Sequence, residues 1–124
     1  MIQASELRIG NNLHDFNGKL VEVLSIKTNN IRCIYKRIDT NTSHVSLYHN
    51  EELHRIPITP EILEKCGFVT DEEMGVSRLF TDDFSCDYYD GCLWFKTSQI
   101  EIKYLHQLQN LCYALTGNEL NYQP

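Results

Sequence analysis

Cysteine and histidine are the side chains of this sequence with the widest chemistry, because they ligate metals, form disulfides and act as nucleophile and base. The chain has an odd number of scattered cysteines: Cys33, Cys66, Cys86, Cys92 and Cys112. No two of them show the C-x-x-C spacing of a zinc site or redox motif, and this pattern is typical of reduced thiols in a cytosolic protein. Cys86 and Cys92 flank a predicted hairpin turn and could face each other, but we expect no disulfide between them.

Histidines and aspartates are also candidate metal ligands. His44, His49 and His54 recur every five residues, which places them on alternating faces of a strand and in a loop rather than around one point. Four aspartates cluster around predicted turns: Asp82, Asp83, Asp87 and Asp90. Aspartate is a normal turn residue, and the D-x-D-x-D-G order of an EF-hand is not met. The sequence therefore predicts no metal site.

Neither a nucleophile with its base nor a phosphate-binding loop can be identified. Cys112 and His106 lie six residues apart on different faces of a predicted helix, so they cannot form a nucleophile and base pair. Gly10 and Gly18 are isolated, and neither G-x-x-x-x-G-K nor G-x-G-x-x-G occurs. We therefore predict that the protein is not an enzyme and binds no cofactor.

In the first half of the chain, the elements that position the side chains are predicted to be β-strands. Five short segments contain alternating or consecutive apolar residues and are separated by turn residues: 13–16, 19–26, 31–36, 43–48 and 54–58. Asn17 and Gly18 form the strongest hairpin signal. In the second segment Val21 and Val23 alternate, and Ile26 joins their face only after a slip or bulge. Residues 1–58 are thus predicted to form a β-rich half, a small β-barrel or a meander.

The second half, residues 59–117, is predicted to mix helices and strands, so the fold class is α+β within a single domain of residues 1–124. Thr59 and Pro60 are typical of a helix start, and Gly67 of its end. Segments 76–80 and 100–102 read as strands, and a hairpin is predicted around Asp90 and Gly91. An amphipathic C-terminal helix covers 104–117, and residues 118–124 are predicted to be a loose tail.

The C-terminal helix has a leucine-rich stripe within an arc of roughly 120°, as a core-facing helix does. The opposite face carries no charge, and four of its residues are candidates for a protein contact: His106, Gln109, Asn110 and Tyr113. A solvated helix face normally carries Glu and Lys. The face is either a plain polar surface or a contact with the β half or a partner chain, including a second copy in a homodimer.

Charge is distributed unevenly along the chain. The net charge is −6; residues 1–58 hold seven Lys/Arg and six Asp/Glu, a net +1, while residues 59–124 hold four and eleven, a net −7. The candidate nucleic-acid contacts lie in the first half: Lys27, Arg32, Tyr35, Lys36 and Arg37. A net of +1 is far below a typical basic footprint, so nucleic acid is the less favoured partner.

Composition and hydrophobicity indicate the cellular location of the protein. The chain has 124 residues, 42% hydrophobic and 23% charged, which is ordinary for a globular protein. No apolar run approaches the length of a membrane helix. The first six residues lack a basic and an apolar region, so we expect no signal peptide, no membrane association and a cytoplasmic location.

Three separated blocks carry a resemblance. They are LRIGN at 7–11 with GK at 18–19, IPITP at 56–60 with LEKCGF at 63–68, and YLHQLQNL at 104–111 with ALTG at 114–117. These blocks resemble a group of small uncharacterised proteins of phages, prophages and mobile elements of gut bacteria, a group to which no function is assigned. The opening block is also similar to the first strands of SH3-type or KOW-type barrels, which would imply an SH3-like barrel.

The function that these features favour is a non-enzymatic binding or adaptor protein of a phage or mobile element, which acts through contacts with a protein partner. One alternative is a nucleic-acid-associated module that uses the N-terminal β structure. Another is an acidic inhibitor of a host DNA-binding protein, because the second half carries most of the negative charge. The sequence identifies neither the partner nor the oligomeric state.

Overall fold

The computed structural model describes residues 1–37, 42–81 and 84–124, without the side chains of residues 36, 37 and 42. The chain divides into two compact units, Met1–Ile56 and Pro57–Pro124. The first contains a four-stranded antiparallel sheet, and the second a five-stranded antiparallel sheet with two α-helices. The predicted α+β class is confirmed, whereas the single-domain assignment stays a prediction. Among the described residues, neither α-helix is long and apolar enough to cross a bilayer.

The first unit is a meander. Its strands are β1 (Asn12–His14), β2 (Leu20–Ile26), β3 (Asn30–Arg37) and β4 (Thr42–His49), and neighbours in sequence are neighbours in the sheet. No closed barrel is found in the described residues, so the barrel alternative is not confirmed. The predicted fifth strand at 54–58 is wrong: only isolated bridges form there, from His54 to His14 and from Pro57 to Tyr104. Pro57 lies within this short segment and removes one of the backbone N–H donors that a ladder needs.

The turn between β1 and β2 is built around a buried carboxylate. Asn17 and Gly18 occupy the turn as predicted, and Gly18 has a positive φ of 78°. Asp15 Oδ1 accepts hydrogen bonds from the backbone N–H groups of Asn17 (2.8 Å) and Lys19 (3.0 Å). Its Oδ2 accepts from the Tyr48 hydroxyl at 3.2 Å. A single acidic side chain therefore fixes the hairpin and ties it to β4.

The core of the first unit lies on one face of the sheet. Val21, Val23, Ile31 and Cys33 are all buried there, in one cluster with residues of the N-terminal segment. The β2–β3 register shifts between Val23 and Ser25, so the residue between them is a bulge. The bulge returns Ile26 to the core face, opposite Ile31. The predicted bulge is confirmed.

The second unit begins and ends with a helix and holds a second meander. Its elements are α1 (Pro60–Lys65), β5 (Val69–Asp71), β6 (Val76–Phe80), β7 (Ser85–Tyr89), β8 (Cys92–Phe95), β9 (Ser98–Glu101) and α2 (Leu105–Thr116). The five strands follow their sequence order in the sheet. The sequence predicted all of these elements except β5, which is only three residues long.

The helix ends follow the sequence signals. Thr59 Oγ1 accepts a hydrogen bond from the N–H of Ile62 at 3.2 Å, and Pro60 occupies the first helical position of α1. Gly67 and Gly117, with φ of 93° and 75°, adopt the left-handed conformation that ends each helix. At the start of α2, Gln107 Oε1 accepts from the backbone N–H of Tyr104 at 3.1 Å. The predicted caps at Thr59, Gly67 and Gly117 are confirmed.

The C-terminal tail is more ordered than the sequence predicted. The backbone N–H of Gln123 donates to the carbonyl of Lys65 at 2.8 Å. Leu120 and Tyr122 are half-buried, and burial, together with the neighbouring Cys66, raises the pKa of the Tyr122 hydroxyl. The tail has no regular secondary structure, but it packs at the end of α1.

Candidate protein-contact site

The candidate contact on α2 is placed differently from what the sequence predicted. His106 and Gln109 are 1% and 2% exposed, so they are not part of an outer face. The ring of His106 stacks on Tyr104 with 6.1 Å between centroids. Asn110 is half-buried and Tyr113 is exposed. Only these last two could reach a partner, and a contact through them stays a prediction.

The buried face of α2 is rotated about the helix axis relative to the face that the sequence predicted. Leu105, Leu108 and Cys112 are buried as predicted, but Leu115 is exposed. At roughly 100° per residue, the buried arc is displaced by about 80° from the predicted leucine stripe, towards Gln109. Periodicity separates apolar from polar side chains, whereas an uncharged imidazole or amide can also lie in a protein interior. Part of the uncharged face, at His106 and Gln109, is therefore buried and is not a free surface.

The candidate nucleic-acid contacts do not form one surface. Lys27 and Arg32 are exposed, whereas Tyr35 is half-buried against the core cluster. Arg32 and Tyr35 lie on opposite faces of β3 because they are an odd number of residues apart. The Lys19 ammonium lies 5.0 Å from the centroid of the Tyr35 ring.

The other two basic candidates are at the end of β3. Lys36 and Arg37 pair with Ser43 and Thr42 of β4. Their side chains lie outside what the structure describes. Basic residues with known placement are therefore too few to define a nucleic-acid interface.

Four of the five thiols are buried, and burial raises the pKa of each of these four. Burial raises the pKa of Cys66 and Cys86 to about 12 and that of Cys112 to about 11. Cys112 also interacts electrostatically with both of the other thiols, which places all three in one core. Burial, followed by the charge of Asp15, raises the pKa of Cys33 to about 12. Such thiols are poor nucleophiles because the thiolate is the reactive form.

The remaining residues with metal or redox chemistry are separated as well. Within the described ranges, no group of three or more His, Cys, Asp or Glu side chains could hold a metal ion. Cys86 is on the buried face of β7, while Cys92 pairs with Tyr89 on the other face of the same hairpin. Both are free cysteines, as the sequence predicted. Of the four acidic turn residues, Asp82 and Asp83 lie outside the described residues.

Three exposed aromatic side chains lie on the outer face of the five-stranded sheet. One row of paired residues crosses all five strands: Val69, Arg78, Asp87, Trp94 and Gln99. Phe80 and Tyr89 lie on the same face, because they are an even number of residues from Arg78 and Asp87. Phe80 is 70% exposed and Trp94 40%. We call Phe80, Tyr89, Trp94 and the Arg78–Asp87 pair the aromatic face.

An ion pair organises the centre of the aromatic face. Arg78 Nε lies 2.7 Å from Asp87 Oδ1, and its Nη2 lies 3.4 Å from Oδ2. The hydrogen bond and charge of Asp87 raise the pKa of the guanidinium above its usual value. The same guanidinium stands 5.7 Å from the centroid of the Phe80 ring. Arg78 therefore contacts both a carboxylate and an aromatic ring.

A shallow depression of about 210 Å³ opens beside this ion pair. Its walls are Arg78, Phe80, Asp87, Trp94 and Lys96, together with residues of β7. Lys96 also lies near an aromatic ring, with its ammonium 5.4 Å from the centroid of Phe95. The depression offers flat aromatic surface with one carboxylate and two cations at its rim, a combination that suits contact with a polypeptide.

The aromatic face was missed by the sequence analysis, although one signal was present. Leu93, Trp94 and Phe95 are three consecutive large apolar residues in a strand. Because successive side chains alternate between faces, the middle one must lie on the opposite face from its neighbours. Leu93 is buried, so Trp94 is necessarily on the outside.

No known protein family, characterised protein or solved structure matches the chain. The geometry of the site is therefore the basis for its interpretation.

Proposed function

We propose that the protein is a non-enzymatic protein-binding module and that the aromatic face is its contact surface. The observation that supports this is the exposure of Phe80, Tyr89 and Trp94 on one face of the five-stranded sheet. Trp, Tyr and Arg are the residues that most often dominate binding energy at protein interfaces. Three exposed aromatic side chains around an ion pair match that composition. The solvated face of an antiparallel sheet normally carries polar side chains instead.

The backbone beneath the aromatic face favours recognition by side chains. Every strand from β5 to β9 pairs with its sequence neighbours, so the outer face presents few free backbone groups at its centre. A partner would bury the rings of Phe80 and Trp94, and each large aromatic ring buries about 150–250 Å². Because the sheet is already formed, little ordering is needed on binding, which lowers the entropic cost of the contact.

The biological setting of the proposal is an adaptor of a phage or mobile element that works in the cytoplasm. The three sequence blocks at 7–19, 56–68 and 104–117 support this setting through their resemblance to proteins of such elements. The aromatic face replaces helix α2 as the main candidate contact, since His106 and Gln109 are buried.

The experiment compares capture of partners by the full chain and by variants of the aromatic face. A tagged Phe80→Ala/Trp94→Ala protein should lose a partner that the unchanged protein captures from host cells. Met74→Ala is the matched control, because Met74 is equally exposed but lies in the β5–β6 turn. Circular dichroism checks that each variant is folded. The proposal fails if the double variant captures the same proteins in the same amounts.

The same protein preparations distinguish the nucleic-acid alternative. Lys27 and Arg32 are exposed on the first unit and would be its first contacts. Retention on heparin that falls steeply with salt, and that Lys27→Ala/Arg32→Ala reduces, would favour nucleic acid over protein. We expect no retention. An acidic inhibitor would instead lose its target when the exposed carboxylates of Asp71, Glu72 and Glu73 are replaced.

A further inference from the structure

Strand β4 is the long open edge of the four-stranded sheet. In the part of the chain that the structure describes, it pairs only with β3. All five residues from Ser43 to Leu47 are exposed, although they alternate between the two faces of the sheet. Val45 and Leu47 are 57% and 62% exposed. Among the described residues, nothing therefore covers either face of the segment from Ser43 to Leu47, whereas Tyr48 is buried in the core.

The edge also lacks the features that normally prevent pairing with another chain. Natural edge strands are short, bulged, or carry charge or proline. Residues 42–49 contain no Lys, Arg, Asp, Glu or Pro. The eight β3–β4 pairs, from Asn30–His49 to Arg37–Thr42, run without a register shift. The opposite edge differs, because β1 has only three residues and its His14 bridges to His54.

We propose that β4 pairs antiparallel with β4 of a second copy of the chain, about a two-fold axis at Ser46, and joins two four-stranded sheets into one of eight strands. Opposed residues in an antiparallel pair share a face of the sheet. A two-fold axis perpendicular to the sheet therefore has to pass between two identical residues, such as the two Ser46 side chains. This inference concerns a different surface from the aromatic face and does not depend on the proposed function.

The side chains of β4 are self-complementary about Ser46. The residues one step away are Val45 and Leu47, so each valine would lie opposite the leucine of the second copy. Two steps away are the rings of His44 and Tyr48. Apolar pairs and ring pairs at directly opposed positions stabilise antiparallel sheets. Residues at equal distances on either side of Ser46 are thus chemically similar. This symmetry favours a second copy of the strand over an unrelated peptide as the partner.

Charge permits this pairing. The strand itself has no charged side chain. Arg32 is an exposed cation of the neighbouring strand, and it lies opposite Leu47. In the eight-stranded sheet the two Arg32 positions would be three strand spacings apart, about 14 Å. That distance exceeds the Debye length of about 8 Å at physiological ionic strength, so their repulsion is screened.

The size of the contact sets its strength. Seven paired residues extend over about 23 Å. An edge contact of this length buries less than the roughly 800 Å² per partner of a standard interface. We therefore expect a dimer that dissociates on dilution, with a dissociation constant above about 1 µM.

Sedimentation velocity of the full chain from micromolar to millimolar concentration tests the pairing, and charge swapping at Ser46 tests its register. Ser46→Lys and Ser46→Glu each place two like charges at the two-fold axis, so each variant alone should be monomeric where the unchanged chain is dimeric. An equimolar mixture should dimerise again, because Lys then faces Glu. Ile9→Lys is the control, since Ile9 is exposed on the same unit.

Leu47→Lys is a second variant, which keeps the test valid if a substitution at Ser46 prevents folding, and it too should be monomeric. The inference is overturned if the unchanged chain is monomeric throughout, if the single variants dimerise as it does, or if the mixture stays monomeric. The Phe80→Ala/Trp94→Ala protein should dimerise normally, which separates this result from the proposed function.

Discussion

The two sheets expose apolar side chains in opposite ways. In the four-stranded sheet they lie at an edge, where Val45 and Leu47 accompany the open backbone of β4. In the five-stranded sheet they lie on a face, where Phe80 and Trp94 stand on strands that are already paired. An edge selects a partner by the register of hydrogen bonds, and a face selects it by the shape and charge of side chains. The same meander topology therefore carries two surfaces that differ in kind, and both are proposed above as contacts.

The interiors of the two units differ as well. The core cluster of the first unit is mainly aliphatic and holds one thiol, Cys33. The second unit brings three buried thiols together, Cys66, Cys86 and Cys112. Since a buried thiol resists ionisation, the two interiors should respond differently to alkaline conditions.

The largest difference between the units is expected at high pH. The ordinary thiol pKa is 9.0, and burial raises that of Cys66 and Cys86 to about 12. Between these values only the unfolded chain loses the proton, so stability falls as pH rises. At pH 10 each such thiol should cost on the order of 1 kcal/mol, and the three together a few kcal/mol. Urea unfolding followed by fluorescence of Trp94, the single tryptophan, measures this in the second unit.

The control for the alkaline prediction is Cys112→Ala, which should reduce the loss between pH 8 and pH 10 by about a third. Equal free energies of unfolding at the two pH values would contradict the predicted role of the buried thiols.

Core truncation in each unit tests whether the two sheets unfold separately. Leu13 and Leu93 are both completely buried, one in each unit. Replacing either by alanine should destabilise its unit by about 3 kcal/mol. Circular dichroism reports on the whole chain and Trp94 fluorescence on the second unit. If Leu13→Ala shifts both signals together, the chain unfolds as one domain. If the Trp94 fluorescence transition is unchanged, the two units unfold independently.

Local anchors should matter more in the first unit than in the second. Asp15→Ala removes the acceptor of two backbone N–H groups and of the Tyr48 hydroxyl, at a cost of about 2 kcal/mol. Thr59→Ala removes one N-cap hydrogen bond, at a cost of about 1 kcal/mol. Thr59→Ser is the matched control and should be neutral. Thermal unfolding with a greater loss for Thr59→Ala than for Asp15→Ala would reverse this order.

The smallest effects concern the ion pairs. Arg55 and Glu6 form a two-pronged pair in the first unit, at 2.7 and 3.0 Å. Arg55→Ala should lower the free energy of unfolding by about 1 kcal/mol, since the pair is partly buried. Arg78→Ala should leave stability unchanged because its pair with Asp87 is exposed. If Arg78→Ala destabilises more in urea titrations, the aromatic face is a structural feature rather than a binding surface.

Local signals in the sequence predicted most of the fold. Asn17 and Gly18, Thr59 and Pro60, and Gly67 each act through contacts within a few residues, and the structure has the turn and caps that they predict. The fifth strand at 54–58 failed because a strand needs a partner along its length, and only isolated bridges form there. Strand β5 was missed because three residues are too few to show a period.

The candidate site was much less predictable. The polarity of His106 and Gln109 gave no sign of their burial, since burial depends on what packs against the helix. The aromatic face combines Phe80, Tyr89 and Trp94 from three strands, and only the register of the sheet brings them together. Alternation alone showed that Trp94 faces outward, but not which residues surround it.

The bulge in β2 has a consequence for how the length of this chain can vary. Deleting Leu24 would leave Val23, Ser25 and Ile26 in strict alternation, with both apolar side chains still on the core face. Deleting any residue between Leu20 and Val23 would instead turn part of the strand inside out. Positions 24 and 25 are thus the places within β2 where a one-residue deletion would keep Val23 and Ile26 on the same face of the strand.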